Sequence, residues 1–217
     1  MRFHDRNEAG RELAKRLLAD PALAGPDARP VVLALPRGGV PVGWEIAKAL
    51  KAPLDIVLVR KIGVPCQPEL ALGAIVDGET PELVINEDVK SSVEASEAYI
   101  EAESAEQLRE IERRRALYLS GRPPVPVRGC TAILVDDGIA TGATMRAALR
   151  ATRRRGPAKI VLAVPVAPPE SIEELKPEAD QVICLHAPWG FAGVGQFYAD
   201  FHQVSDATVA ALLQERS

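Results

Sequence analysis

A chain of 217 residues that is 47% hydrophobic, 26% charged and 4% aromatic has the balance of a globular protein with a core of its own, and a single domain over 1–217 is expected. Lys and Arg number 26 against 30 Asp and Glu, a formal charge of −4, which supplies no basic field for holding a nucleic-acid backbone. Cys66, Cys130 and Cys184 are odd in number and far apart, so they suit neither a disulfide framework nor a CxxC metal site, and a reducing cytoplasm fits them.

The N-terminus, MRFHDRNEAGREL, is charged from its second residue and lacks an apolar leader. No later stretch approaches the ~18 apolar residues of a membrane span, so no membrane partner is expected. Asp5 followed by Glu8 reads as a capping box, and Leu13, Leu17 and Leu18 recur at helical spacing, which predicts a helix of about 12 residues ending before Asp20-Pro21. VVLAL at 31–35 is a continuous apolar run, followed at once by Pro36, Arg37, Gly38 and Gly39 and then by the helix-like VGWEIAKAL. Further apolar runs are LDIVLV at 54–59, AILV at 132–135, IVLAVPV at 160–166 and QVICL at 181–185, with helical segments between several of them. Nearly all-apolar strands alternating with helices indicate the α/β class, a doubly wound parallel sheet covered on both faces.

An insertion over 69–125 interrupts that alternation. Residues 69–86 carry Asp77-Gly78 between two apolar runs, the mark of a β-hairpin. Residues 87–119 form a long polar helical segment, acidic in its first half and basic at its end, which complements the helix dipole. Arg113 to Arg115, like Arg153 to Arg155, read as an anion patch or, more commonly for such runs, as solvated helix ends. Arg122 to Gly129, with three prolines, is a stiff connector. Residues 186–217 form a hood and C-terminal helix.

In an open parallel sheet the ligand lies beyond the carboxyl ends of the strands. The run ending at Val135 is followed by Asp136, Asp137, Gly138, Ile139, Ala140, Thr141, Gly142, Ala143 and Thr144, and then by a helix. Two carboxylates can accept from hydroxyls or approach a divalent cation, and the small residues and threonines entering a helix can cradle a phosphate. A sugar with a terminal phosphate satisfies both halves. An acidic pair at a strand end, taken alone, serves many unrelated roles.

The full segment ILVDDGIATGAT resembles the phosphoribosyl pyrophosphate loop of the type I phosphoribosyltransferase family, and the likeness extends over the strand skeleton of residues 31–185. The resemblance implies that Asp136 and Asp137 hold the ribose 2- and 3-hydroxyls and, directly or through water or those hydroxyls, Mg2+. It implies that Ala140, Thr141, Gly142, Ala143 and Thr144 wrap the 5-phosphate. The family also has a pyrophosphate loop after its first strand, often with a cis peptide, and LPRGG matches it: Arg37 offers a guanidinium, Gly38 and Gly39 close backbone approach. Val59, Arg60 and Lys61 resemble the VRK segment of orotate-type members, whose cations meet the pyrophosphate. IGVPCQPELALG, with Glu69 its one acid, stands where the family has a mobile lid.

The reaction so implied is displacement of pyrophosphate from C1 of phosphoribosyl pyrophosphate by a ring nitrogen of a base, as in nucleotide salvage. It needs no covalent enzyme intermediate, and His4, His186 and His202 read as surface or packing residues. Hypoxanthine-guanine and xanthine members carry an aspartate just before the TG turn. Ala140 stands here, which directs the acceptor away from 6-oxopurines, or away from nucleobases altogether. The segment 186–209 gathers Trp189, Phe191, Phe197, Tyr198 and Phe201, either a platform for a planar base, with Trp189 and Phe191 its best-placed members, or a small core sealing the sheet edge. Two alternatives share the pocket: a regulatory protein that senses phosphoribosyl pyrophosphate without turnover, and a hydrolase that uses no base. The expected partners are small molecules, and the long helix offers a surface for a second copy of the chain.

Overall fold

The computed structural model describes residues 1–25, 28–64, 67–77, 81–93 and 95–215. Its helices are α1 (Arg6–Leu18), α2 (Pro21–Ala24), α3 (Gly39–Leu50), α4 (Glu87–Val93), α5 (Glu97–Leu119), α6 (Ala143–Arg154), α7 (Pro169–Leu175) and α8 (Asp206–Gln214). The strands are β1 (Pro30–Ala34), β2 (Leu54–Ile56), β3 (Val59–Val64), β4 (Gln67–Val76), β5 (Glu82–Ile85), β6 (Thr131–Val135), β7 (Lys159–Val166) and β8 (Gln181–His186). The five apolar runs form one parallel sheet in the order β2-β1-β6-β7-β8. This is the expected doubly wound α/β architecture.

The sheet explains why its strands read as unbroken apolar runs. Val32, Ala34, Ile133 and Val135 enter a core with Leu13 and Leu17 of α1, Ile46 of α3 and Val209 of α8. Their alternates Val31, Leu33, Ala132 and Leu134 face the other way, against Met145 and Leu149 of α6. Both faces are therefore covered, and the strands are apolar on both. The β1–β6 pairing sets Ala34 opposite Val135, so the chains leaving these two strands emerge side by side. The first helix begins where its cap dictates, the Asp5 carboxylate accepting the Glu8 N–H at 2.8 Å.

Between β2 and β6 the structure departs from the sequence reading. The run at 54–59 is divided: β2 ends at Ile56, and Val59 opens a second, antiparallel sheet ordered β3-β4-β5. The added sheet thus starts ten residues before the expected insertion boundary at 69. The segment read as a lid is largely strand, because pairing β3 with β4 buries Ile62, Val64 and Leu72 against Ile100 of α5. Cys66, Gly78 and the side chain of Glu69 lie outside the described residues. The hairpin expected around Asp77-Gly78 is β4–β5, with Val76 opposite Glu82. The long helix is two, since Ser96 caps α5 by accepting the Tyr99 N–H at 3.2 Å.

The basic runs are committed inside the molecule. Arg113 and Arg114 both hold Glu110, whose carboxyl is pulled down to about 2 by their hydrogen bonds, and Arg115 pairs with Asp77. Arg153 pairs with Asp180, Arg154 with Glu82, and Arg155 donates to the Val125 carbonyl. Among the described residues no helix is long and apolar enough to cross a membrane.

Candidate functional site

The chain leaving β6 makes a turn with two unlike halves. Its distal half is open. Gly142 has φ +74°, a left-handed conformation that suits glycine, and it precedes α6 without any side-chain cap. The first N–H groups of α6 therefore stand uncapped by the chain, next to the exposed Thr141 and Ala143 and the half-buried Thr144. Such a helix start is a ready anion cradle. The turn is tied down from behind, where Ser171 Oγ donates to the Ala140 carbonyl at 2.7 Å and the Ile139 N–H to Val166 at 2.9 Å.

The proximal half is closed. Asp136 Oδ1 accepts the Asp137 N–H at 2.8 Å. Burial, and then the charge of Asp137, push the Asp136 carboxyl well above the usual carboxylate range. Asp137 Oδ2 accepts from Arg6 Nε at 2.7 Å, and the Asp137 carbonyl accepts the Tyr198 hydroxyl at 2.6 Å. Burial raises Asp137 also, opposed by the Arg6 charge. Arg6 in turn donates to the His202 carbonyl at 2.9 Å and lies 3.9 Å from the centre of the Phe201 ring.

The loop after β1 packs directly on this half. A Cβ on Gly38 would stand 2.0 Å from Asp137 Oδ2, and one on Gly39 would stand 2.7 Å from the Val135 carbonyl and 2.9 Å from the Asp136 Cα. Glycine is required at both positions by this approach. The Pro36–Arg37 peptide is cis. The Gly39 N–H closes the turn on the Leu35 carbonyl at 3.0 Å, so it is not turned to the crevice, whereas Gly38 has no backbone acceptor among the described residues. Arg37 reaches Asp206 at the start of α8, Nη1 to Oδ1 at 3.5 Å, and Tyr118 of α5 donates to that same oxygen at 2.6 Å. Burial, reinforced by this bond, pushes the Tyr118 phenol up to about 12. The bond from Tyr118, with help from the Arg37 charge, holds Asp206 below the ordinary range.

Strand alternation separates the two cations of β3. Lys61 lines a cavity of about 470 Å³ with Thr141, Ala143, Thr144, Arg146 and Asn86, so it faces the open half of the turn. Arg60 points to the opposite face and donates to Gln107 of α5 at 2.8 Å. The aromatic hood divides likewise. Phe191 stacks on Phe197 at 5.4 Å in a small core with Phe3 and Tyr198, while Trp189 is 86% exposed. His186 meets Phe197 edge-on at 5.5 Å, and His202 pairs with Asp200 at 2.5 Å.

Arg6, Tyr198, Tyr118 and Asp206 belong to the site and were not singled out as site residues by the sequence. Arg6 and Asp137 are 131 positions apart, and no local pattern marks such a pair. For a metal, the described residues bring together no group of three His, Cys, Asp or Glu. What they offer is a carboxylate pair in which Arg6 bonds Asp137 directly and reaches Asp136 only through its charge. That donor set suits a Mg2+ that takes one or two protein oxygens and completes its shell with substrate and water.

The comparisons agree with this geometry. Two proteins of Mycobacterium tuberculosis, from strains CDC 1551 and H37Rv and each named "Putative phosphoribosyl transferase", are 48% identical to the chain over 211 residues, 97% of its length. The chain spans 46%, about half, of the length of these curated relatives. The crystal structure of TT1426 from Thermus thermophilus is 46% identical, with a TM-score of 0.84 over 99% of both chains. A model of the phosphoribosyl transferase domain matches residues 3–199. With the crevice between β1 and β6, its carboxylate pair and its open helix start, this match over nearly the whole chain shows that the protein belongs to the phosphoribosyl transferase domain family.

Proposed function

We propose that the protein transfers phosphoribose from Mg-phosphoribosyl pyrophosphate to a nitrogenous base and releases pyrophosphate. One observation carries the reading: the Pro36–Gly39 loop and the Asp136–Thr144 turn abut at the ends of adjacent strands, so the loop that carries Arg37 packs on the acidic pair of the turn that leads into α6. The 5-phosphate sits at the start of α6, held by backbone N–H groups and by the hydroxyls of Thr141 and Thr144, with Lys61 across the cavity. The ribose hydroxyls donate to a carboxylate of the acidic pair. Arg37 leaves Asp206 and joins the Gly38 N–H at the departing pyrophosphate, while Gly39 serves by letting the two loops touch. Catalysis is then positioning plus stabilisation of the leaving group's charge. Mg2+ arriving with the substrate would neutralise part of that charge, with Asp136 as its protein oxygen.

The position before the TG turn, Ala140, is exposed and its carbonyl is held by Ser171. It offers no carboxylate to a purine ring, and we assign the acceptor outside the 6-oxopurines. Trp189, exposed on the loop after β8, is the flat surface available to stack a base. Phe191 acts beneath it as part of the core.

Incubation with Mg2+, phosphoribosyl pyrophosphate and a panel of bases, following pyrophosphate, tests the reading. Base-dependent release is expected. Base-independent release would make the protein a hydrolase, and tight binding without release a sensor, either of which overturns the transferase.

A further inference from the structure

We infer that Arg6 is a positioning residue that withdraws Asp137 from substrate contact, leaving Asp136 as the carboxylate that reads the ribose hydroxyls. The inference rests on the phosphoribosyl reading of the site and divides a role that the motif alone gives to both acids.

Three observations carry it. The Arg6–Asp137 pair is nearly closed to solvent, its side chains 11% and 14% exposed, and its 2.7 Å contact is a short charge-assisted bond. Arg6 has little freedom to leave. A second guanidinium nitrogen is bound to the His202 carbonyl, and the Phe201 and Tyr198 rings lie 3.9 and 6.0 Å away. Asp137 is equally fixed, its carbonyl held by Tyr198 and its carboxylate pressed onto Gly38. Asp136, by contrast, has one oxygen on the Asp137 N–H, and the Arg6 guanidinium bonds its neighbour rather than it, acting on Asp136 only through its charge. A desolvated carboxylate in that state is completed by donors from a ligand, and two neighbouring sugar hydroxyls are such donors. The charge balance points the same way. A ligand with phosphates at both ends is repelled by two bare carboxylates, and Arg6 cancels one of them.

The test compares ribose 5-phosphate with 2-deoxyribose 5-phosphate by metal-free titration calorimetry. The wild-type protein is expected to prefer ribose 5-phosphate. Asp136→Asn should lower its affinity roughly 10-fold or more and erase the preference, whereas Asp137→Asn should keep the preference. Arg6→Met leaves Asp137 buried and unpaired, and should cost roughly 10-fold in affinity, with Arg6→Lys less affected. In the double variant Arg6→Met/Asp137→Asn no charge is stranded, and affinity should recover most of that loss with the preference for ribose 5-phosphate kept, which a sugar read through Asp137 would not produce. If Asp137→Asn alone does not fold, the double variant supplies the same comparison of sugars. Loss of the preference in a folded variant lacking the Asp137 carboxylate, or a double variant as weak as its singles combined, overturns the assignment while leaving the phosphoribosyl site intact. Absence of wild-type affinity for ribose 5-phosphate overturns the site reading and this assignment with it.

Discussion

The two halves of the turn after β6 solve opposite problems. Thr141 to Thr144 present main-chain donors to solvent at a helix start that lacks a side-chain cap, and the fold steadies them only from behind, through Ser171 and Val166. Asp136 and Asp137, a few residues earlier, sit between Gly38 and Gly39 on one side and Arg6 and Tyr198 on the other. A phosphate can be held by backbone alone, because a helix start already carries the complementary partial charge. Paired carboxylates repel each other and lose hydration, so they need help from distant parts of the fold. Here both ends of the chain supply it.

The harshest way to break this arrangement is to separate the loops it joins. In Gly39→Ala the new Cβ meets the Val135 carbonyl and the Asp136 Cα below 3.0 Å, and these are main-chain atoms that cannot swing aside. We expect a cost of about 1–3 kcal/mol and loss of phosphoribosyl pyrophosphate binding, read by thermal unfolding and calorimetry. A variant with unchanged affinity would mean that the loops do not bind one ligand between them. The open half responds more mildly. Thr144→Ala removes one hydroxyl from the cradle and leaves the backbone donors, so affinity for ribose 5-phosphate should fall roughly 10-fold with the melting temperature unmoved.

The same contrast governs what was legible in the chain. The five parallel strands, the capped first helix and the turn into α6 are local, and Val31 to Leu35 or Asp5 with Glu8 state them in a few residues. The second sheet was less legible. Val59 to Val64 pair with a strand that Pro65, Cys66 and Pro68 disguised as loop, and the pairing is won by burial of Ile62 and Leu72 against Ile100, a contact no window reveals. Lys61 and Arg60 are adjacent in the motif but lie on opposite faces of one strand. The wrapping of Asp137 was hidden for a different reason. Arg6 reads as one more charge on an amphipathic helix, and Tyr198 as one more aromatic of the hood, until the fold brings both to the same carboxylate.

The closed half can be probed without any ligand. Tyr198→Phe keeps the ring in its core and strands the Asp137 carbonyl, which should cost about 1 kcal/mol, or roughly 2–4 °C in a domain of this size. An unchanged melting temperature would show that water replaces the hydroxyl and that the turn is less sealed than its 2.6 Å bond implies.

Asp136→Asn should act in the other direction. Burial and the Asp137 charge make the folded protein hold the Asp136 proton to a higher pH than the unfolded chain does, where the carboxyl titrates near 3.8. Between those two values the folded state binds more protons, so stability falls as pH rises through the window and stays lowered above it. An amide does not titrate. The variant should therefore melt no higher than wild type below about pH 4, where both are neutral, and a few degrees higher at neutral pH. Scans across that range decide the matter. If the gap closes or reverses as pH rises, Asp136 is stabilised as an anion by a partner within the fold and is not held ready for one from the substrate. If the gap opens while ribose 5-phosphate binding is lost, the carboxylate that weakens the empty protein is the one that grips the sugar, a cost kept for function.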